Sequence, residues 1–165
     1  MNKDNKTNFI ATSAIIAALY AVLSLALAPI SYGLLQVRIA EALCVLPYFT
    51  AAAVPGLFIG CLLANAIGVA LGLTVGTDVL FGSIATLLAA VLGRLLRKRA
   101  WLVPLPAVLV NAVIIGCELY FVFGVNVSLL ACMLYVGVGQ ILSCYVLGLP
   151  LLGLLKKYGS TLFTR

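Results

Sequence analysis

The chain has 165 residues, 65% of them hydrophobic and 8% charged, with no histidine and a formal charge of +6. This composition excludes a soluble domain and predicts an all-α integral membrane protein, one compact domain over residues 1–165. No basic stripe interleaved with aromatics tracks a phosphate backbone, so the positive charge reports orientation in the lipid bilayer, and no nucleic-acid partner is expected.

A membrane span takes about 20 apolar residues, which leaves room for six helices with short connections. The polar start Met1-Asn2-Lys3-Asp4-Asn5-Lys6 leads into an apolar run too long for a signal-peptide core and without a clear cleavage site. It is read as a retained first helix, about residues 8–28, ending at Pro29. Ala14 and Ala18 lie four apart on it, as do Ala17 and Ala21. Either pair makes a smooth stripe that lets another helix approach closely, within this bundle or on a partner subunit. Ser31, Tyr32, Gly33 and Gln36 then break the periodicity and predict a loop.

A second helix, about 38–54, carries Arg38 and Glu41 three residues apart, where they share a face and can pair. Pro47 is expected to kink it, and Pro55-Gly56 to end it. The third, about 57–72, is glycine-rich and holds one buried amide, Asn65. The fourth, about 78–97, opens at Asp78, whose carboxylate is placed to cap free N–H groups, and ends in Arg94, Arg97, Lys98 and Arg99. Trp101 follows as an interfacial anchor. The fifth, about 104–123, aligns Asn111, Ile115 and Glu118 on one face. The sixth, about 127–155, has Gly137, Gln140 and Cys144 on its polar face, with Ser143 and Tyr135 near it.

Six crossings place Lys3/Lys6, the Arg94–Arg99 cluster and Lys156/Lys157/Arg165 on one side, so both termini are expected in the cytoplasm. Only Arg38 falls on the outer half. Three of the four acids, Glu41, Asp78 and Glu118, lie inside apolar runs, where a charge costs about 2.5–3.5 kcal/mol on insertion scales. They face a protein interior or a wet cavity, either as ligand contacts or as structural groups paired with Arg38 or backbone. Together with Asn111, Gln140, Tyr32, Tyr120 and Tyr135 they predict an outward-open pocket for a flat, hydrogen-bond-rich molecule.

The five cysteines are scattered singly, with neither a C-x-x-C pair nor a histidine, so they are read as small apolar filler; no metal site, disulfide framework or cofactor is expected. There is no nucleotide-binding G-x-x-x-x-G-K-[ST] loop, no H-E-x-x-H and no G-x-S-x-G, so the chain hydrolyses no ATP of its own and an enzyme is poorly supported.

The segments ATSAIIAALYAVLSL (11–25), ISYGLLQVRIAEALCVLP (30–47), VPGLFIGCLLAN (54–65), DVLFGSIATLLA (78–89) and VNAVIIGCELY (110–120), with the stretch 134–150, resemble the QueT family in order and spacing. The resemblance implies a substrate-binding S component of a bacterial cell-membrane energy-coupling-factor (ECF) importer. Such a component is a six-helix bundle that takes a queuosine precursor, a 7-deazaguanine, from outside. Its implied partners are a transmembrane coupling subunit and two cytoplasmic ATPases, which use the ATP. Docking to the coupling subunit then falls to Ala14/Ala18, or in the other register to Ala17/Ala21. The guanine edge falls to Glu118 and Asn111, with Arg38 and Glu41 for gating or contact and Gln140 in support. Ala40 and Cys44 stand where the family pattern leads one to expect Ser and Thr, which bears on the preferred precursor. An S component for another vitamin or purine-like compound, a small membrane-embedded enzyme and a purely structural protein are the competing readings.

Overall fold

The computed structural model describes residues 3–31 and 37–158. Helix α1 (Lys3–Ala26) is followed by the single turn α2 (Ala28–Ser31) and by a 3₁₀ helix, Ile39–Tyr48. Then come α3 (Ala53–Ala70), α4 (Gly76–Leu95), a short 3₁₀ turn (Ala100–Leu102) and α5 (Leu105–Phe121). The last described residues form one continuous helical stretch: α6 (Leu129–Ile141), a π-helical segment (Leu142–Leu147) and α7 (Gly148–Tyr158).

Among the described residues, five helical stretches are long and apolar enough to cross a bilayer: Asn5–Ala26, Ala53–Ala70, Gly76–Leu95, Ala100–Phe121 and Leu129–Tyr158. Large apolar side chains such as Ile15, Leu19, Leu80, Leu95, Leu109 and Leu134 point outward. The interior is instead filled by Ala, Cys, Gly and polar groups. That inversion of the soluble pattern is what a lipid solvent permits, since tails are as apolar as leucine and small residues let helices approach.

The predicted second helix is where structure and sequence part. Instead of an α-helix over 38–54, Ile39–Tyr48 is a ten-residue 3₁₀ helix. All eight residues from Ala40 to Pro47 are buried. Uniform burial explains why the segment has no polar face for periodicity to reveal. At about 2.0 Å per residue, a 3₁₀ helix carries ten residues over about 20 Å, further than α-geometry would. The extra reach is used. On α3, Gly56 packs against Ser13 and Ile16 of α1, and Gly60 packs one turn further along against Ala17 and Tyr20. Helices α1 and α3 therefore run parallel, and the chain between them must return along the bundle. The 3₁₀ helix makes most of that return through the middle, touching α1, α3, α4 and the last helical stretch.

Its far end is pinned. Arg94 donates from Nη1 to the Pro47 carbonyl at 2.7 Å and to that of Tyr48 at 3.3 Å. Lys156 lies 4.5 Å above the Tyr48 ring. Ser13 donates to the Ala52 carbonyl at 3.0 Å. The start of α1 and the ends of α4 and α7, all basic in sequence, thus gather at one end of the bundle. Trp101, 58% exposed, sits beside this cluster, as an interfacial anchor would.

Candidate functional site

The near end of the 3₁₀ helix carries the polar residues. Arg38 precedes its first turn in extended conformation and Glu41 lies within that turn. Both are buried, as are Asn65 on α3, Asp78 on α4, Asn111 and Glu118 on α5 and Gln140 on α6. Four of the five long helical stretches and the 3₁₀ helix therefore deliver polar side chains to one interior.

The connections can be followed bond by bond. Arg38 donates to Cys61 Sγ at 3.7 Å and lies within electrostatic range of Glu41, Asp78 and Tyr20. Tyr20 of α1 donates its hydroxyl to Glu41 Oε1. Asn65 Nδ2 donates to the Asp78 backbone carbonyl at 2.8 Å and to Cys61 Sγ at 3.5 Å. Gly82 makes room for this amide, because a Cβ there would sit 2.7 Å from Asn65 Nδ2. On the other side of Glu41, Asn111 Nδ2 donates to the Ala107 carbonyl at 2.9 Å and, at 3.5 Å, to Gln140 Oε1. The Cys144 thiol reaches Gln140 Oε1 at 3.3 Å and the Glu41 carbonyl at 3.7 Å.

Glu118 differs from every other member. Thr77 and Asp78 flank it, yet neither carboxylate oxygen has a hydrogen-bond partner among the described residues, and the residue is only 3% exposed. It also lines a cavity of about 470 Å³ between α4 and α5, whose other walls are Phe81, Ile84, Val113, Ile114, Cys117, Phe121 and Val122. Buried polar groups are nearly always satisfied, so an orphaned carboxylate at the edge of a cavity marks a place where a donor is expected to arrive. Asn65 Oδ1 and Thr77 Oγ1 are likewise buried without partners.

Several expectations change here. Asp78 does not cap α4: residue Val75 holds that position without a side-chain bond, and Asp78, inside the first turn, accepts from the Thr74 hydroxyl. Tyr120 and Tyr135 are not in the interior; they are 39% and 42% exposed, and Tyr120 lines a second cavity with Gly124–Ser128. Tyr32 and Gln36 lie outside the described residues. Cys61 and Cys144 are more than apolar filler, since each holds a polar partner in place. Tyr20 was missed altogether. The signal for it was the helical spacing of Ser13, Tyr20 and Ser24, a polar stripe running through the alanines of α1, and all three are buried. Among the described residues no group of three His, Cys, Asp or Glu could hold a metal.

Replacing Tyr20 by Phe removes one donor and leaves Glu41 Oε1 without it. The expected cost is about 1–2 kcal/mol, read as a lower thermal midpoint in detergent, whereas Tyr158→Phe on the exposed end of α7 leaves the midpoint unchanged.

A family profile described as QueT transporter matches residues 10–157. The chain belongs to the QueT transporter family. A queuosine precursor transporter QueT of Lactococcus lactis subsp. cremoris (strain MG1363) is 36% identical over 99 residues. That match covers 59% of this chain, and the chain spans only 56% of that relative's length. No solved structure matches. In the QueT family setting, five bilayer-length helices around a buried polar cluster are consistent with a multi-pass membrane protein.

Proposed function

We propose that this chain is the substrate-binding membrane subunit of an ECF-type importer and binds a queuosine precursor from the extracellular side. A coupling subunit and two cytoplasmic ATPases complete the machine, and the chain itself is not an enzyme. Family membership and the relative's name as a queuosine precursor transporter support the substrate class. The observation that carries the reading is Glu118, a buried carboxylate whose two oxygens have no hydrogen-bond partner among the described residues, beside Asp78 and in the same interior as Asn111. A carboxylate accepts two parallel N–H donors, which is what the edge of a 7-deazaguanine presents, and an amide answers its carbonyl.

The topology follows the charges. If the 3₁₀ helix counts as the second crossing, the chain passes six times, and the basic ends of α4 and α7 face the cytoplasm with the N-terminus. The acids then belong to the outer half.

Helix α1 separates its two alanine registers. Ala17 and Ala21 are buried against the bundle, whereas Ala14 and Ala18 are exposed along with Ala11, Ile15 and Leu19. This exposure supports Ala14/Ala18 as the docking stripe for the coupling subunit. Ala18→Trp is expected to spare ligand binding by the isolated protein and to abolish uptake in cells; uptake that persists removes Ala18 from the interface.

Ligand-induced thermal stabilisation of the purified chain in detergent tests the whole reading. The panel is queuine, the aminomethyl and cyano 7-deazaguanines, guanine and thiamine. A true ligand at 100 times its Kd adds about 2.7 kcal/mol. Shifts confined to the deazaguanines support the proposal. A shift with thiamine or guanine alone assigns a different substrate, and no shift at all removes autonomous binding.

A further inference from the structure

The interior holds more acidic than basic side chains. Glu41, Asp78 and Glu118 are buried there with Arg38. Every other charged residue in the sequence falls in the first six residues, at Arg94–Arg99 or from Lys156 onward. Two carboxylates are thus in excess over the one base. Segment 32–36 contains no charged residue and cannot alter the count.

Local bonding shows where the excess sits. Glu41 has the Tyr20 hydroxyl and the nearby Arg38. Asp78 accepts from the neutral Thr74 hydroxyl and shares the one base, Arg38, with Glu41. Glu118 lies beside Thr77 and Asp78, and neither of its carboxylate oxygens has a hydrogen-bond partner among the described residues. Burying a carboxylate without a counter-charge is costly, and two adjacent ones repel each other. A neutral ligand edge hydrogen-bonded to Glu118 satisfies its lone pairs and leaves the charge excess in place. A cation delivered with that edge removes both deficits.

Resting on the deazaguanine reading above, we propose that Asp78 and Glu118 act as a pair that selects a ligand carrying a protonated amine next to its hydrogen-bonding ring, and rejects neutral analogues of the same ring. Glu118 takes the ring edge and Asp78, directly beside it, faces the ammonium group. The apolar wall of Phe81, Ile84 and Ile114 lies beside Glu118, and such low-dielectric surroundings strengthen the attraction.

The test compares 7-aminomethyl-7-deazaguanine with 7-cyano-7-deazaguanine by titration of the full chain in detergent at neutral pH. The two share a ring and differ in charge. The aminomethyl compound is expected to bind on the order of 10- to 100-fold more tightly, the range of a hydrogen bond to a charged group. If both bind and the ratio is one or less, the charge selection is wrong and the deazaguanine reading stands. If neither binds, the reading itself falls and this inference with it. In Asp78→Asn the ratio is expected to fall towards one, and an unchanged ratio overturns the role of Asp78. Should that variant fail to fold, Thr74→Val leaves Asp78 without its hydroxyl donor and is expected to widen the ratio; no widening counts against Asp78 equally.

Discussion

Glu118→Leu is expected to stabilise the empty protein and to abolish its response to ligand. The two effects have opposite signs and one cause. In the empty state the Glu118 carboxylate is buried, lacks hydrogen-bond partners among the described residues and sits next to Asp78, so it costs free energy. A leucine of similar reach meets Phe81, Ile84 and Ile114 in the same cavity and removes that cost, worth about 1–3 kcal/mol. The thermal midpoint without ligand should rise. The bound state loses the acceptor for the ligand's donors, so the stabilisation of about 2.7 kcal/mol expected at 100 times Kd disappears. A midpoint that falls in the empty protein shows that Glu118 is a structural group. A midpoint that rises with ligand response intact places the site elsewhere in the cluster.

Gly60→Val has the largest expected effect on the fold. A Cβ at Gly60 would lie 2.7 Å from the Tyr20 Cβ and 2.8 Å from the Ala17 carbonyl oxygen. Backbone stands on the far side, so no side-chain rotation relieves the clash, and α1 must move away from α3. Overpacking of this kind costs about 1–3 kcal/mol, and the displaced Tyr20 also withdraws its hydroxyl from Glu41. Lower thermal stability and weaker ligand binding are expected together. Gly153→Ala on α7 is the control, because nothing lies within 4 Å of its Cβ position. A Gly60→Val protein as stable as the control would show that α1 and α3 do not pack through this glycine.

Glu118 was legible in the sequence because the surroundings were so uniform. In a chain this apolar, an acid inside a hydrophobic run has few explanations, and Asn111, Ile115 and Glu118 at helical spacing point one way only. All three are buried together on α5. Tyr20 was not legible, because a tyrosine in a membrane helix looks the same whether it anchors at an interface or donates into a core. Tyr120 and Tyr135 show the converse, two aromatics expected to line the pocket whose side chains are partly exposed. The cysteines hid for a related reason: a thiol reads as a small apolar residue until Arg38 and Gln140 lie against it.

By itself the sequence determined that the chain is a membrane helix bundle, where the long helices lie, and that its three interior acids need a counterpart. These follow from hydropathy and charge, which act residue by residue in a lipid solvent. Tertiary structure alone decided that α1 and α3 run parallel, that a fully buried 3₁₀ helix returns between them, and that Asp78 meets Glu118. Those outcomes depend on which small residues let two backbones approach, as Gly56, Gly60 and Gly82 do, and such contacts leave no local pattern in the chain.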